Sequence, residues 1–450
     1  SRIAFVFSRE GSLYPNLLAD LAIYFPLFCG WFDFLYVVFP RAPRPSDCIF
    51  PPPTCLDEQT RDWLNGQLYA GDLATESIST ASHALYELVR DLGLDCDVMI
   101  GHSAGEHVAL RASGKAVTRS MALLREELRT LNQVYRELAA GEGIATGVLV
   151  SVGAVSETDI ESLLQDFAGV LHLVADNCPN QVILFVTQEA REAVIGRLRQ
   201  AGGIYAEMPF DRSYHTPLFA SGVAALRRFY ADEIELDLGG TQIFSCSTAE
   251  PYPDTPDAFL DVAASQWERP VRFQETVEAL YASGVRTFVE LGVSNSLTAF
   301  VDSILKGRDY LAVPANLQGR PALEQLLHML ARLYLDERPL DLLALFAHRR
   351  QPGKVSAASS RPSMTMVLPG DLPRLSLEPG FAAELRRQLA PAPVSGPSDQ
   401  VSAASAVQPV QAPDQSGLMQ AHFDLMNRFL ASQTRVSELL IARLEEEGGG

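Results

Sequence analysis

Gly101-His102-Ser103-Ala104-Gly105 sets one hydroxyl between two glycines. A Gly-x-Ser-x-Gly spacing suits a serine nucleophile. A sharp strand-to-helix turn exposes the serine Oγ, and the glycines let the two elements approach closely. Residues 98–100 form a short apolar run ahead of it, and residues 104–131 carry a helical pattern behind it. A helix opening here aims N–H groups and a positive dipole end at the serine. On spacing alone, an ordinary Gly-Ser turn is the competing reading. A serine nucleophile also needs a base. Of the eight histidines, His102 is expected to point away from the reacting group. His107, one turn along the helix, is expected to pack or face solvent. His83, His172, His328, His348 and His422 fall in helical or strand patterns. His215 lies in the loop Ser213-Tyr214-His215-Thr216-Pro217, where a flanking Tyr and Pro suit a fixed imidazole.

The elements that must position these groups follow from periodicity. Residues 3–7 and 98–100 read as strands and 79–94 as a helix, an order that implies an α/β fold with a mostly parallel sheet. Over 147–204 the texture changes to βαββαβ. Strand 147–155 precedes helix 156–167, with Ser156 and Thr158 as possible caps. A hairpin joins 170–174 to 181–187 through a turn at 176–180, and helix 190–201 and strand 204–208 follow. That order is a small ferredoxin-like unit. It interrupts a larger α/β-hydrolase-like unit spanning 1–146 and 205–308, which resumes with strands at 243–245 and 287–291. Residues 309–390 read as a helical annex with helices at 322–335 and 340–347. A Pro/Ala/Ser linker over 391–416 precedes an amphipathic helix over 417–447, either a surface helix without its neighbour domain or a docking helix.

Thirty-six Lys and Arg against 55 Asp and Glu give the 450-residue chain a formal charge of −19. Such a balance argues against a nucleic-acid groove. With 47% hydrophobic residues the chain is not disordered in bulk. The near-apolar stretch 21–39 has a bilayer's length. Pro26, Gly30 and Asp33 interrupt it, so a buried pair of short helices is expected rather than a span, and no membrane partner. The six cysteines show neither CxxC spacing nor a nearby His at ligand spacing. Reduced thiols, a cytoplasmic setting and no metal site are expected. The chain opens on Ser1 without a basic leader and ends in three glycines, which reads as a piece of a longer chain.

Five ordered motifs together resemble the acyltransferase domains of type I polyketide and polyunsaturated fatty acid synthases and the malonyl transferases of fatty acid synthesis. Residues 101–106 are similar to GHSxGE, and 214–218 to FHSPxM. Residues 175–182 are similar to AxNxPxQV. Pro270-Val271-Arg272-Phe273 and Phe288-Val289-Glu290-Leu291-Gly292 are similar to further shared stretches. The resemblance covers about residues 1–349. It implies that Ser103 attacks an acyl-coenzyme A thioester with His215 as base, and that the phosphopantetheine thiol of an acyl carrier protein then takes the acyl group. No bound cofactor is implied, and neighbouring synthase domains are further partners. The backbone N–H groups of Ala104 and Glu10 would form the oxyanion hole.

For the acyl group the resemblance implies an arginine on the helix after the nucleophile, gripping a dicarboxylic unit. Counting from Ser103 reaches Leu128; allowing one extra residue at Gly114-Lys115 reaches Arg129, the position favoured here. The alternative is an exposed helix arginine paired with Glu126. Tyr214 before His215 is similar to the malonyl-selective form, and His102 and Asn177 complete the expected substrate-binding set. The chain departs from the family pattern on this side. Ser8-Arg9-Glu10-Gly11-Ser12-Leu13 replaces PGQGSQ, Ala74-Thr75-Glu76-Ser77 replaces AQPA, and Gly292-Val293 replaces Gly-Pro. Malonyl transfer is the expectation. An acyl-thioester hydrolase on the same fold, or a catalytically silent structural domain, are the alternatives.

Overall fold

In the computed structural model, residues 1–8, 13–38, 45–51, 58–68, 71–140 and 144–346 are described. The expected linker at 391–416 and helix at 417–447, most of the annex beyond 346, and Glu10 lie outside them.

Two sheets organise the described chain. The larger has six strands in the order β11-β10-β1-β2-β7-β8. They are β1 (Arg2–Phe7), β2 (Val98–Gly101), β7 (Gln242–Ser245), β8 (Glu250–Pro251), β10 (Val285–Glu290) and β11 (Leu311–Pro314). All pairs are parallel except β7–β8. Ala4, Phe5, Val6 and Phe7 are all buried, as expected for a central parallel strand covered on both faces. β11 extends this sheet past the boundary expected at 308/309. The helix Ala322–Leu335 packs Leu326, Met329, Leu330 and Leu333 into the same core, so this stretch belongs to the main body. Residues 342–346 form a short 3₁₀ turn in place of the helix expected at 340–347.

The smaller sheet runs β6-β3-β5-β4-β9. Its strands are β3 (Gly147–Gly153), β4 (Leu171–Cys178), β5 (Gln181–Thr187), β6 (Ile204–Glu207) and β9 (Val271–Arg272). The apolar run of β5 serves both faces by the period of two. Leu184 and Val186 meet Ile160, Leu163, Val194 and Leu198 of the two covering helices. Ile183 and Phe185 face the other way, into a core shared with Val6, Ile100 and Phe288 of the large sheet. The helix Glu157–Asp166 starts as expected, with Ser156 Oγ accepting from the Asp159 N–H.

Three expectations need correction. The hairpin turn is not at 176–180: Asp176, Asn177 and Cys178 continue β4, paired to β5 and to β9, leaving only Pro179-Asn180 to turn. The small unit is not confined to 147–204: β6 reaches Glu207, opposite Val150, and β9 comes from far along the chain. The helix expected over 104–131 is two, Gly105–Ala112 and Met121–Ala140. Gly114 breaks it at φ 83°, and Ala116 bridges to Leu236. The apolar stretch near the N-terminus is the expected helix pair, Ala19–Tyr24 and Pro26–Val38, with Phe28, Phe32, Leu35 and Val38 buried. Among the described residues no helix is long and apolar enough to cross a membrane.

Candidate active site

β2 ends at Gly101 and the next helix begins at Gly105, so three residues make the turn. A Cβ on Gly101 would lie 2.1 Å from the Glu106 nitrogen, and one on Gly105 2.3 Å from the Phe7 oxygen. Both glycines are therefore fixed by backbone approach. The His102 N–H donates to the Phe7 carbonyl at 3.0 Å, tying the turn to β1. Ser103 itself sits at φ 56°, a left-handed conformation that a non-glycine residue holds at some cost.

His215 also has a left-handed backbone, at φ 62°. Its Nε2 lies 2.7 Å from Ser103 Oγ. On the other side of the ring, Nδ1–H donates to the Gln266 carbonyl at 3.0 Å. That bond fixes the tautomer: the proton is on Nδ1, so the Nε2 lone pair faces the serine hydroxyl. The His215 N–H donates to the Trp267 carbonyl at 2.7 Å, and the Trp267 indole stacks on the imidazole at 5.3 Å and 19°. Ala104 stands at the N-terminus of the helix Gly105–Ala112, where its N–H can face an oxygen on the serine's side. Glu10 is outside the described residues.

His102 and Asn177 are buried and joined to each other. The Asn177 amide donates to Gln181 Oε1, so its oxygen faces His102, which donates from Nε2 at 2.6 Å. Gln181 in turn donates to Ser151 Oγ at 2.6 Å. This chain runs from the small sheet to the turn, and β4–β9 pairing sets its register, since Asp176 stands opposite Arg272. These two residues therefore brace the turn through buried hydrogen bonds. Tyr214 packs its ring on Phe219 and Trp267, at 5.2 and 5.7 Å.

Arg129 donates to Glu126 at 3.1 Å and to the Val37 carbonyl at 2.9 Å, with its side chain 40% exposed. That is the geometry of the alternative reading. Leu128, reached by direct counting, packs against the core. One turn on, Asn132 donates to Glu76 at 3.1 Å, and Glu76, in the segment that replaces AQPA, is buried. The Val293 N–H donates to Ser8 Oγ at 3.3 Å, a bond that the proline of the family pattern would lack.

Sequence reasoning missed Gln266 and Trp267, although only Glu268 and Arg269 separate them from the recognised Pro270-Val271-Arg272-Phe273. It also missed the partners of Glu106. This side chain, buried beneath the turn, accepts from the Tyr252 hydroxyl. Burial lifts its carboxyl to about 7. His107 packs, the first of its two expected settings: it bonds the Tyr230 hydroxyl at 2.7 Å and meets the Trp267 ring, and burial, helped by the Arg111 charge, pulls it down to about 3. No cluster of His, Cys, Asp and Glu that could hold a metal ion occurs among the described residues.

The sequence profile of the family described as "Acyl transferase domain" matches residues 61–335. The spectinabilin polyketide synthase system protein NorB of Streptomyces orinoci is 26% identical over 357 residues, covering 76% of this chain and 15% of that protein. The malonyl CoA-acyl carrier protein transacylase of Bacillus subtilis is 25% identical over 324 residues, covering 70% of this chain and 93% of that one. Among solved structures, the acyltransferase domain from the second module of the salinomycin polyketide synthase matches with a TM-score of 0.63 at 27% identity, over 78% of this chain and 77% of that one.

Proposed function

The chain belongs to the acyl transferase domain family, an enzyme class, and from that premise we propose that it moves an acyl group from a coenzyme A thioester to the phosphopantetheine thiol of an acyl carrier protein. The observation that carries this reading is the 2.7 Å contact between Ser103 Oγ and His215 Nε2, with the far side of the ring held by the Gln266 carbonyl. In the first half-reaction the hydroxyl proton passes to Nε2 as Oγ bonds the thioester carbon. The carbonyl π pair moves to oxygen, where the Ala104 N–H stabilises it. Collapse of that intermediate breaks the carbon–sulfur bond, and the departing thiolate takes the proton from Nε2. In the second half the carrier's thiol gives its proton to Nε2, its sulfur bonds the acyl carbon, and Ser103 leaves reprotonated. A carbonyl in the place of a carboxylate behind the histidine suffices for this, because it sets the tautomer and orients the ring.

Malonyl is the acyl group we assign, supported by the name of the Bacillus subtilis relative and by Tyr214 beside His215. Arg129 is the cation we propose for its carboxylate. The pair with Glu126 is exposed at three-residue spacing and worth only about 0.3–0.5 kcal/mol, so a ligand carboxylate can displace it cheaply.

Intact-protein mass spectrometry with a panel of acyl-coenzyme A thioesters tests the reading. A malonyl mass should persist on the wild type, be absent from Ser103→Ala, and move to a carrier protein when one is added. Loss of the adduct to water without a carrier would make the protein a hydrolase. No adduct from any thioester would make it a silent domain. Arg129→Ala should lower the malonyl-to-acetyl loading ratio by about tenfold; an unchanged ratio removes Arg129 from the acyl site.

A further inference from the structure

His215 is held by one short turn, Gln266–Glu268. Two of its contacts come from main-chain carbonyls, those of Gln266 and Trp267. Neither requires any particular side chain at 267. The indole therefore needs its own explanation. It is 4% exposed and wedged among His107, Tyr135, Tyr214 and Phe219. Packing alone would accept any apolar group of that bulk, and the neighbouring rings do meet it tilted or edge-on, Tyr135 at 68° and Tyr214 at 65°. Only the imidazole of His215 lies flat on it, at 19°. The face of an indole is the negative part of its quadrupole, and a cation within about 6 Å of the ring centre is attracted to it. The imidazole centre, at 5.3 Å, is inside that distance.

We propose that Trp267 is a positioning residue for the proton transfer, its indole face stabilising the imidazolium form of His215 relative to the neutral ring. This rests on the acyl-transfer reading, in which His215 gains the Ser103 proton in one half-reaction and the carrier's proton in the other. The same indole then serves both.

The titratable groups around the stack leave His215 as the one ring that becomes charged. His107, from the helix Gly105–Ala112, also meets Trp267, at 5.7 Å, but burial, helped by the Arg111 charge, pulls it down to about 3 and keeps it neutral near pH 7. Tyr230 of the helix Ala220–Glu233 bonds His107, and burial pushes its hydroxyl up. Tyr135 comes from the helix Met121–Ala140, Tyr214 from the His215 loop, and half-buried Glu268 from the same turn as Trp267. Arg111 and Glu127 neutralise each other at 2.6 Å, and Glu106 is turned to Tyr252.

Two variants separate charge stabilisation from packing. Trp267→Phe keeps a smaller aromatic face, and Trp267→Leu keeps apolar bulk without one. His215 is titrated by NMR in the free protein, its resonance assigned by its loss in His215→Ala. The pH dependence of thiol release is then read in single turnovers with malonyl-coenzyme A. The His215 titration midpoint should fall in the order Trp, Phe, Leu, by about half a pH unit overall. The acid limb of the rate profile should move down with it, and the plateau should fall about threefold to tenfold in Trp267→Leu. An unmoved midpoint in a folded variant, or a lower plateau with an unmoved acid limb, overturns the proposal and leaves Trp267 a packing residue. Should Trp267→Leu not fold, the midpoint in Trp267→Phe decides in the same way. The NMR titration needs no acyl donor, so it stands apart from the test of acyl transfer, which fails if wild-type Ser103 takes no adduct or loses it to water without a carrier.

Discussion

Around Ser103 the constraints lie in the main chain, whereas along the helix Met121–Ala140 they lie in side chains that satisfy one another. At the turn, two glycines have no room for a Cβ and Ser103 holds a left-handed backbone, as does His215 opposite it. On the helix, Glu127 takes Arg111, Asn132 takes Glu76, and Arg129 takes Glu126. The first arrangement fixes where atoms must be to react. The second leaves the helix open to exchange of its pairs, provided both partners change together.

The comparison breaks most visibly if the turn tolerates a methyl group. In Gly105→Ala the new Cβ would stand 2.3 Å from the Phe7 oxygen and 2.9 Å from the Ser8 oxygen, both main-chain atoms of β1 and its exit. Either β1 or the helix must move, and a displacement near 1 Å costs about a hundredfold in a reaction that depends on alignment. Ser103 acylation measured in single turnovers should fall by at least that much. A folded variant acylating at the wild-type rate would show that the turn is not backbone-limited.

On the helix the expected effect falls on stability. Arg111 and Glu127 have side chains 13% and 10% exposed. Glu127→Gln leaves the guanidinium largely buried with a neutral partner, and denaturant unfolding should show a loss of about 2 kcal/mol. Replacing both by leucine should recover most of it. Acylation by the folded single variant should stay within about threefold of wild type. A rate loss as large as that of Gly105→Ala would place this pair in the chemistry and erase the distinction.

Asn177 sharpens the boundary between the two, since it braces the turn with a side chain. Asn177→Ala removes the acceptor of the His102 N–H and the donor to Gln181, both in buried surroundings. About a tenfold fall in acylation is expected, with a loss of about 1–3 kcal/mol in unfolding free energy. A stability loss without a rate loss would make the Ser151–Gln181–Asn177–His102 chain purely architectural.

The same contrast explains what was legible in the sequence. Gly101 and Gly105 announce the turn because nothing else fits there, and the apolar run of β5 announces a strand buried on both faces. Ser103 follows from residue type in that setting, whereas His215 stands out only through the resemblance at residues 214–218. Asp176, Asn177 and Cys178 carry turn-forming types next to a proline, and local propensity reads them as a loop. Asp176 and Cys178 pair with Val182 and Gln181 of β5, and Asp176 also with Arg272, about a hundred residues on, which no local window contains. Trp267 was hidden for a similar reason: its contact with His215 crosses loops, and an isolated Trp ahead of a motif carries no period. The setting of Arg129 was not fixed because counting along a helix cannot say which partner the side chain takes.

The last effect is small and concerns protons beneath the turn. Glu106 is buried, and burial raises its carboxyl from the ordinary 4.5 to about 7, against the opposing hydrogen bonds from Tyr252, Ser245 and the Cys246 backbone. Between those values the folded chain keeps a proton that the unfolded chain has released, so stability falls as pH rises. The contribution is fully present below 4.5 and is lost as pH climbs through about 7. Glu106→Gln cannot ionise there. Relative to it, the wild type should lose about 1 kcal/mol of unfolding free energy between pH 6 and pH 7.5. Glu290, also lifted to about 7 by burial, is present in both proteins and cancels in the difference. Parallel curves for wild type and variant would mean that Glu106 is already ionised at pH 6. The turn would then rest on a buried negative charge close to the serine, and its rigidity would no longer come from the main chain alone.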